Sequence, residues 1–182
     1  MKKYFIYTLL LLVSQLISSC ALTIKPAATK SAKAFYESFF VGEDGTQYFI
    51  KPIEFKAEGN GDKLFVDFTF RYKEELKDSA VINFSIENEN IIKSVDSITF
   101  TNDASSTVTL GDISLLFNEK KDKNFISRFS AKCSTKEMID LFNNSAIKIK
   151  INANNSTVLF FADKNSQKVI RSLNDNLYVL FK

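Results

Sequence analysis

Two cysteines and the absence of histidine define most of the chemistry that this sequence allows. The 182-residue chain contains Cys20, Cys133 and no His. Without an imidazole, His-based triads, most zinc sites and the commonest general base are excluded. Cys133 has no His to deprotonate it, and free cysteines are usually buried as small apolar side chains. We therefore predict that Cys133 is structural, and that the chain has no cofactor and no metal site.

Other residues with the spacing of known sites are better explained as surface residues. Residues 145–148, Ser-Ala-Ile-Lys, have the spacing of a serine–lysine nucleophile. That motif needs a helix, where Lys lies under Ser, whereas this segment begins a run typical of a strand. The acidic pairs Glu43/Asp44 and Glu87/Glu89 lie in turn sequences and form no complete calcium loop. We predict no catalytic residue among them.

The first residues of the chain carry an export pattern. Lys2 and Lys3 precede an apolar run from Phe5 to Ile17. This run is shorter than the roughly 20 residues that a membrane-spanning helix needs. Basic residues, a short apolar run and then small residues are typical of a cleaved signal peptide. We assign residues 1–19 to that peptide and exclude them from the fold.

Ile17, Ser18, Ser19 and Cys20 resemble the lipobox of bacterial lipoproteins, in which an aliphatic residue and two small residues precede Cys. The resemblance implies a diacylglycerol on the Cys20 sulfur, cleavage before Cys20 and acylation of the new amino group. Two or more acyl chains attach a protein stably to a membrane, at about 0.8 kcal/mol per buried CH₂. The alternative is an ordinary secretory signal with an unmodified product.

The residues after Cys20 indicate where such an anchor would lead. In the lipoproteins that the pattern resembles, an Asp directly after Cys often signals retention at the inner membrane, but Ala21 follows here. The resemblance therefore favours the outer membrane, with the protein facing the periplasm. Residues 20–33 are small, basic and polar, contain Pro26 and lack apolar periodicity. We predict that they form the lipidated N-terminus and a flexible tether.

The composition of the mature chain bounds its class. Residues 34–182 fit a single globular domain, which can bury a core without disulfides. Loss of Lys2 and Lys3 from a total of 24 Lys and Arg leaves a formal charge of about +1 against 21 acidic residues. Because no basic field remains, we expect no nucleic acid partner.

Alternation of apolar and polar residues predicts strands along most of this domain. The clearest case is the segment 63–72, where Leu64, Val66, Phe68 and Phe70 alternate with mostly polar residues. Phe65, on the polar side, is expected to be covered by a second sheet or a helix. The other predicted strands are 35–41 (preferred to a helix over 29–40), 47–57, 81–87, 91–101, 107–110, 113–117, 125–133, 147–151 and 158–162.

Two of these strands, and the segment between 113–117 and 125–133, carry further expectations. Pro52 predicts an edge or a bulge in the strand 47–57, because proline cannot donate to a ladder. The strand 158–162 is apolar on both sides, which predicts a central, covered position. The charged residues 119–123 predict a turn.

The pattern near the C-terminus favours helices. Ser134 and Glu137 fit a capping box, followed by an apolar stripe that includes Met138 and Leu141, and the helix is expected to end at 143–144. Residues 164–173 predict a second short helix. Residues 177–181 either extend it or form a closing strand, and the polar residues 174–176 favour the strand.

These elements predict a mainly β fold, an antiparallel β-sandwich-like domain with two short helices near the C-terminus. The leading functional hypothesis is a lipid-anchored envelope protein without enzymatic activity, which binds or supports another envelope protein. A surface-exposed module that binds glycan or protein is the alternative. A hydrolase that uses only carboxylates is a third hypothesis, and it requires two acids that converge in a cleft.

Overall fold

The computed structural model describes residues 35–59, 61–76, 79–153 and 155–181. The strands are β1 (Tyr36–Phe40), β2 (Thr46–Ala57), β3 (Lys63–Lys73), β4 (Glu75–Leu76), β5 (Ser79–Asn88), β6 (Ser97–Asn102), β7 (Thr107–Leu110), β8 (Ser114–Lys121), β9 (Asn124–Ser134), β10 (Ile147–Ala153) and β11 (Ser156–Phe161). The helices are α1 (Thr135–Phe142) and α2 (Lys164–Asn176), and 3-10 turns cover Gly42–Asp44 and Tyr178–Phe181. The predicted signal peptide, Cys20 and the predicted tether lie outside the described residues.

One curled antiparallel sheet contains the strands in the order β7-β6-β10-β11-β2-β3-β5-β9-β8, with β1 and β4 as short additions beside β2 and β3. The two edge strands, β7 and β8, are consecutive in the chain and are separated only by residues 111–113. The sheet must therefore curl until its edges approach each other, and β7 also contacts β9. The predicted mainly β, antiparallel, sandwich-like architecture with two helices near the C-terminus is confirmed.

The inner face of this curled sheet forms the core. Along β3, Leu64, Val66, Phe68 and Phe70 are almost fully buried, while the intervening residues are half-buried or exposed. Their partners on β5 continue the layer, since Ile82 pairs with Phe68. We call the side that carries Phe68 the inner face and the opposite side the outer face, because side chains alternate between the two along each strand.

The helices close the inner side of the sheet. The apolar stripe of α1 is buried, and the Phe142 ring lies 5.4 Å from that of Phe68. The Ser134 hydroxyl oxygen accepts a hydrogen bond from the Glu137 backbone N–H at 3.3 Å, as expected for the N-cap. From the other side, the Tyr178 ring stacks on Phe68 at 6.2 Å. Phe68 is therefore where sheet, helix and C-terminal turn meet.

Strand β2 is the least regular strand of the sheet. Its register with β3 shifts between Ile50 and Ile53, which confirms the irregularity predicted at Pro52. One edge of β2 is shared by two strands. Its first half pairs with β1, while β11 pairs only with Lys56 and Ala57. The sheet is consequently joined by just two residue pairs between its β7-to-β11 part and its β2-to-β8 part, and we call this junction the β2–β11 seam.

Residues 174–181 differ from the prediction of a closing strand. Asn174, Asp175 and Asn176 are the last residues of α2 rather than a turn, and 178–181 form a 3-10 turn. The Leu177 N–H donates to the Leu173 carbonyl at 2.8 Å, so the helical path continues past the polar residues. Leu177 and Tyr178 are fully buried, and this burial outweighs the local turn preference of the preceding residues.

Two strand boundaries and one burial prediction differ from the structure. The predicted charged turn at 119–123 was wrong from 119 to 121, because β8 continues to Lys121 and the hairpin reverses at 122–123. The predicted strand 91–101 begins only at Ser97. The expectation of cover on both sides of β11 was wrong, since Leu159 on its outer face is 45% exposed.

Candidate functional site

Cys133 behaves as the structural residue predicted from the sequence. Its side chain is buried on β9, and its thiol lies 3.6 Å from the Ala80 carbonyl oxygen of β5. Burial, with a smaller contribution from the nearby Glu137 carboxylate, raises the pKa of the thiol from 9.0 to about 12. Because the thiolate is the nucleophile, a buried and protonated Cys133 is unsuited to catalysis at neutral pH.

The serine–lysine spacing does not produce a paired site. Ser145 precedes β10, and Lys148 points outward from β10 beside Phe161 and Thr101. One carboxylate of each acidic pair is paired with a basic residue. Asp44 binds Arg71, while Glu87 lies 3.4 Å from the Lys121 ammonium. In the part of the chain that the structure describes, no group of three Cys, Asp or Glu side chains could hold a metal ion.

An open depression of about 310 Å³ lies at the β2–β11 seam. Its lining consists of Lys56, Ala57, Glu58, Phe161, Ala162 and Asp163. Asp163 is the N-cap of α2, where its carboxylate accepts hydrogen bonds from the backbone N–H groups of Asn165 and Ser166. The Lys56 ammonium lies 2.8 Å from the same carboxylate and 3.8 Å from that of Glu54. Two acids thus approach one lysine at the edge of this depression.

The electrostatics of this depression do not resemble those of a carboxylate hydrolase. The Lys56 ammonium, and then the N–H and hydroxyl of Ser166, hold the pKa of Asp163 well below its ordinary value. The Asp163 carboxylate in turn raises the pKa of Lys56. A glycosidase-type general acid needs the opposite shift, a carboxyl group whose pKa is raised. The arrangement is better explained as a cap and an ion pair that tie α2 to β2.

A polar cluster on the outer face of β3, β5 and β9 was missed by sequence reasoning. One guanidinium nitrogen of Arg128, Nη2, donates to both carboxylate oxygens of Asp67 at 2.8 and 3.1 Å. Its Nη1 donates to the Ser85 hydroxyl at 2.9 Å, and the Asn83 amide donates to Asp67. The cluster is partly shielded from water, and its groups satisfy each other. It stabilises three strands and leaves no reactive group free.

Phe65 lies beside this cluster on the outer face. It is half-buried between the neighbours Glu54 on β2 and Ser85 on β5. All described strands belong to one sheet, so the cover expected from a second sheet is absent within the described part of the chain.

Strand β8 exposes an apolar edge. It is the last strand of the sheet, and all eight of its residues are exposed. Three consecutive large apolar side chains, Leu115, Leu116 and Phe117, lie in its first half, where the register with β9 is irregular. We call these three residues the β8 apolar edge. An edge strand with unpaired backbone groups and apolar side chains can accept a further strand from another chain.

Comparison with known proteins found no match. No family model, curated protein or solved structure matches the chain. The apolar run Leu115-Leu116-Phe117 is visible in the sequence, but the sequence does not show that it lies at an edge. Their edge position depends on strand order, which local pattern does not determine.

Proposed function

We propose that this chain is a lipid-anchored protein of the bacterial cell envelope, held at the periplasmic face of the outer membrane. Its β domain binds or supports another envelope protein and has no enzymatic activity. The N-terminal pattern that ends in Ser18-Ser19-Cys20 supports the anchor. The β8 apolar edge carries the binding role, because it combines exposed apolar side chains with unpaired backbone groups.

Strand addition is the mode of binding that this edge favours. Soluble proteins usually protect an edge strand with charge, brevity or cover. In β8 the charged residues Glu119, Lys120 and Lys121 occupy only the second half, while the first half is apolar. An extended segment of a partner can therefore pair with β8 through main-chain hydrogen bonds and place apolar side chains next to Leu116.

Cell fractionation tests the anchor. We expect Cys20→Ala to move the protein from the membrane fraction to the soluble periplasm, since the acyl chains would be lost. Mass spectrometry of the native N-terminal peptide should show the diacylglycerol on Cys20. A bare N-terminal peptide, or a Cys20→Ala protein that still pellets with membranes, would contradict the anchor.

Crosslinking in intact cells tests the binding surface. We expect Leu116→Lys to abolish a crosslinked complex that the wild type forms, because a charged side chain protects an edge strand from pairing. Val81→Lys is the matched control, since Val81 is similarly exposed but is paired on both sides, with Thr69 of β3 and Lys132 of β9. Loss of the complex in both variants, or in neither, would argue against β8 as the binding edge.

Protease treatment of intact cells tests the orientation. A domain that faces the periplasm should resist a protease added outside and become sensitive after the outer membrane is permeabilised. Cleavage on intact cells would instead place the domain on the cell surface, as in the alternative hypothesis of a surface binding module.

A further inference from the structure

Half of the exposed large apolar residues of the described domain lie at one end. Of twelve such residues, Phe39, Phe40, Val41, Phe49, Val179 and Leu180 belong to the β1–β2 hairpin and the C-terminal 3-10 turn. We call these six residues the hairpin-end patch. Three of the others form the β8 apolar edge, and the remaining three are scattered singly, as is normal for a protein surface.

The hairpin places aromatic rings on both of its faces. Phe39 pairs with Gln47, and its ring meets that of Phe49 edge-on at 5.6 Å on the outer face. Phe40 pairs with Thr46 and points to the inner face. Phe40 is 79% exposed to solvent. The hairpin tip at Gly42–Asp44 therefore projects with apolar side chains on either side.

The C-terminal turn extends the patch on the inner side. The Phe181 ring packs on Tyr72 at 5.0 Å and on Tyr48 at 5.3 Å, which holds the turn against the same end of β2 and β3. Tyr72 pairs with Thr46, the ladder partner of Phe40. Val179 and Leu180, in the turn that Phe181 fixes, are both more than half exposed.

Two ion pairs lie beside the patch. The Lys51 ammonium lies 3.4 Å from the Glu37 carboxylate, and Arg71 lies 3.1 Å from Asp44. Glu37 is the ladder partner of Phe49, so the pair flanks the outer-face rings. Pairing reduces the cost of bringing this end of the domain to a medium of lower polarity.

We infer that the hairpin-end patch inserts into the lipid surface of the membrane that carries the anchor. Because Phe39 and Phe40 project to opposite sides, a flat protein surface can cover only one of them, whereas fluid lipid can surround both. Aromatic and aliphatic side chains with tyrosines behind them are typical of groups that enter a membrane interface. The occupant of this patch is therefore a bilayer.

The short stretch of chain between Cys20 and the patch is compatible with insertion into the same membrane. The inference rests on the proposed anchor at Cys20, which stands 16 residues before the first residue of β1. A chain of that length spans at most about 55 Å, so the hairpin stays within reach of the surface. Tethering raises the effective concentration of lipid at the patch, and a modest apolar contact then suffices to orient the domain.

A single tryptophan can report the insertion, because the natural chain contains no Trp. The lipidated full-length Phe40→Trp protein is reconstituted into phosphatidylcholine vesicles. We expect its emission to shift to the blue and to be quenched when the acyl chains carry bromine. Leu159→Trp is the matched control, since Leu159 is exposed on β11, which pairs with the other end of β2. Its emission should stay unshifted and unquenched.

Binding of the protein without its anchor to the same vesicles provides a second measurement. In the Cys20→Ala protein, replacement of Phe39 and Phe40 by Ser should reduce binding to the same vesicles by roughly tenfold or more. Leu159→Ser in the same background should bind as the parent does, and circular dichroism checks that each variant is folded.

The outcomes separate this inference from the proposed anchor. Equal emission of the two Trp variants in lipid, with Cys20 acylated, overturns the insertion and leaves the anchor intact. A blue shift that depends on protein concentration and is insensitive to bromine means that a second copy covers the patch, which also overturns the insertion. A bare Cys20 contradicts the anchor, and the partition of the Cys20→Ala variants then decides the insertion independently.

Discussion

Arg128 and Asp67 form an ion pair across three strands on the outer face of the sheet. They belong to strands that are 61 residues apart in sequence, and β5 lies between them. Removal of one partner from a half-buried ion pair costs more than the pair itself contributes, because the other charge stays desolvated without compensation.

Asp67→Ala should therefore lower the free energy of unfolding by about 1–3 kcal/mol, measured by chemical denaturation. Asp44→Ala is the control, because it breaks the exposed pair with Arg71 and should cost less than about 1 kcal/mol. Equal losses in the two variants would mean that partial burial of the Asp67–Arg128 pair is energetically unimportant.

Cys133 supports a second prediction at the scale of the residue. With a thiol pKa raised to about 12, the folded protein should resist alkylation by iodoacetamide at pH 8, and unfolded protein should react readily. A group whose pKa is higher in the folded state contributes stability below its unfolded value. The free energy of unfolding should accordingly fall as the pH rises above about 9. Rapid alkylation of native protein would refute the buried thiol.

Single residues were predictable only where their own neighbours in sequence decided their environment. The buried state of Cys133 followed from the usual burial of free cysteines, and the Ser134 cap followed from local spacing. The Asp67–Arg128 cluster did not, since it requires β3, β5 and β9 to be adjacent in that order. Nothing in a local pattern specifies which strands become neighbours.

At the scale of the element, the hairpin between β1 and β2 depends on its glycines for different reasons. Gly42 and Gly45 both have positive φ, a backbone conformation that other residues rarely adopt. A Cβ on Gly45 would collide with the Tyr72 carbonyl oxygen and with Lys73, whereas a Cβ on Gly42 would meet nothing. The hairpin tip is thus packed directly on the end of β3 at Gly45 but not at Gly42.

Gly45→Ala should lower the melting temperature substantially more than Gly42→Ala. Gly42→Ala introduces only backbone strain, at about 1 kcal/mol. Gly45→Ala adds a clash with the main chain of β3, which cannot move freely. Thermal unfolding followed by circular dichroism compares them. Equal shifts in the two variants would indicate that the tip moves away from β3 without cost.

Most elements could be predicted from the sequence, and the failures have two physical causes. Alternation located β3, β5, β9 and β10 because each has one buried and one wet face. Strand β8 was predicted too short because the charged residues of its second half favour a turn and all of its residues are exposed. The prediction of a closing strand at 177–181 failed because the Tyr178 ring packs on a distant ring, that of Phe68. Tertiary packing overrides local preference in such segments.

For the whole molecule, the β2–β11 seam is the thinnest junction of the sheet. Side chains reinforce it, since the Lys56–Asp163 pair and a hydrogen bond from the Ser166 hydroxyl to the Glu54 carbonyl connect α2 with β2. Strand order and this seam could not be predicted from the sequence, because they depend on contacts between residues more than 100 positions apart.

The seam should respond to acid in a defined direction. Asp163 has a pKa below its ordinary value of 3.8, so its contribution to stability is present above about pH 4 and is lost as the pH falls further. Asp163→Asn keeps a capping side chain and removes the charge. We expect this variant to be less stable than the wild type at pH 7 and the difference to shrink below pH 4. A difference that is independent of pH would exclude the charge as its cause.

The seam also limits when the domain can fold during its synthesis. Strand β2 is synthesised before its partners β11 and α2, which follow it by more than 100 positions at the paired residues. Contacts between such distant residues slow folding, and the early strands keep an open edge until the final segment arrives. A nascent chain that stops before Ser156 therefore lacks the strand that bridges β10 and β2, and the sheet is completed only when β11 is available.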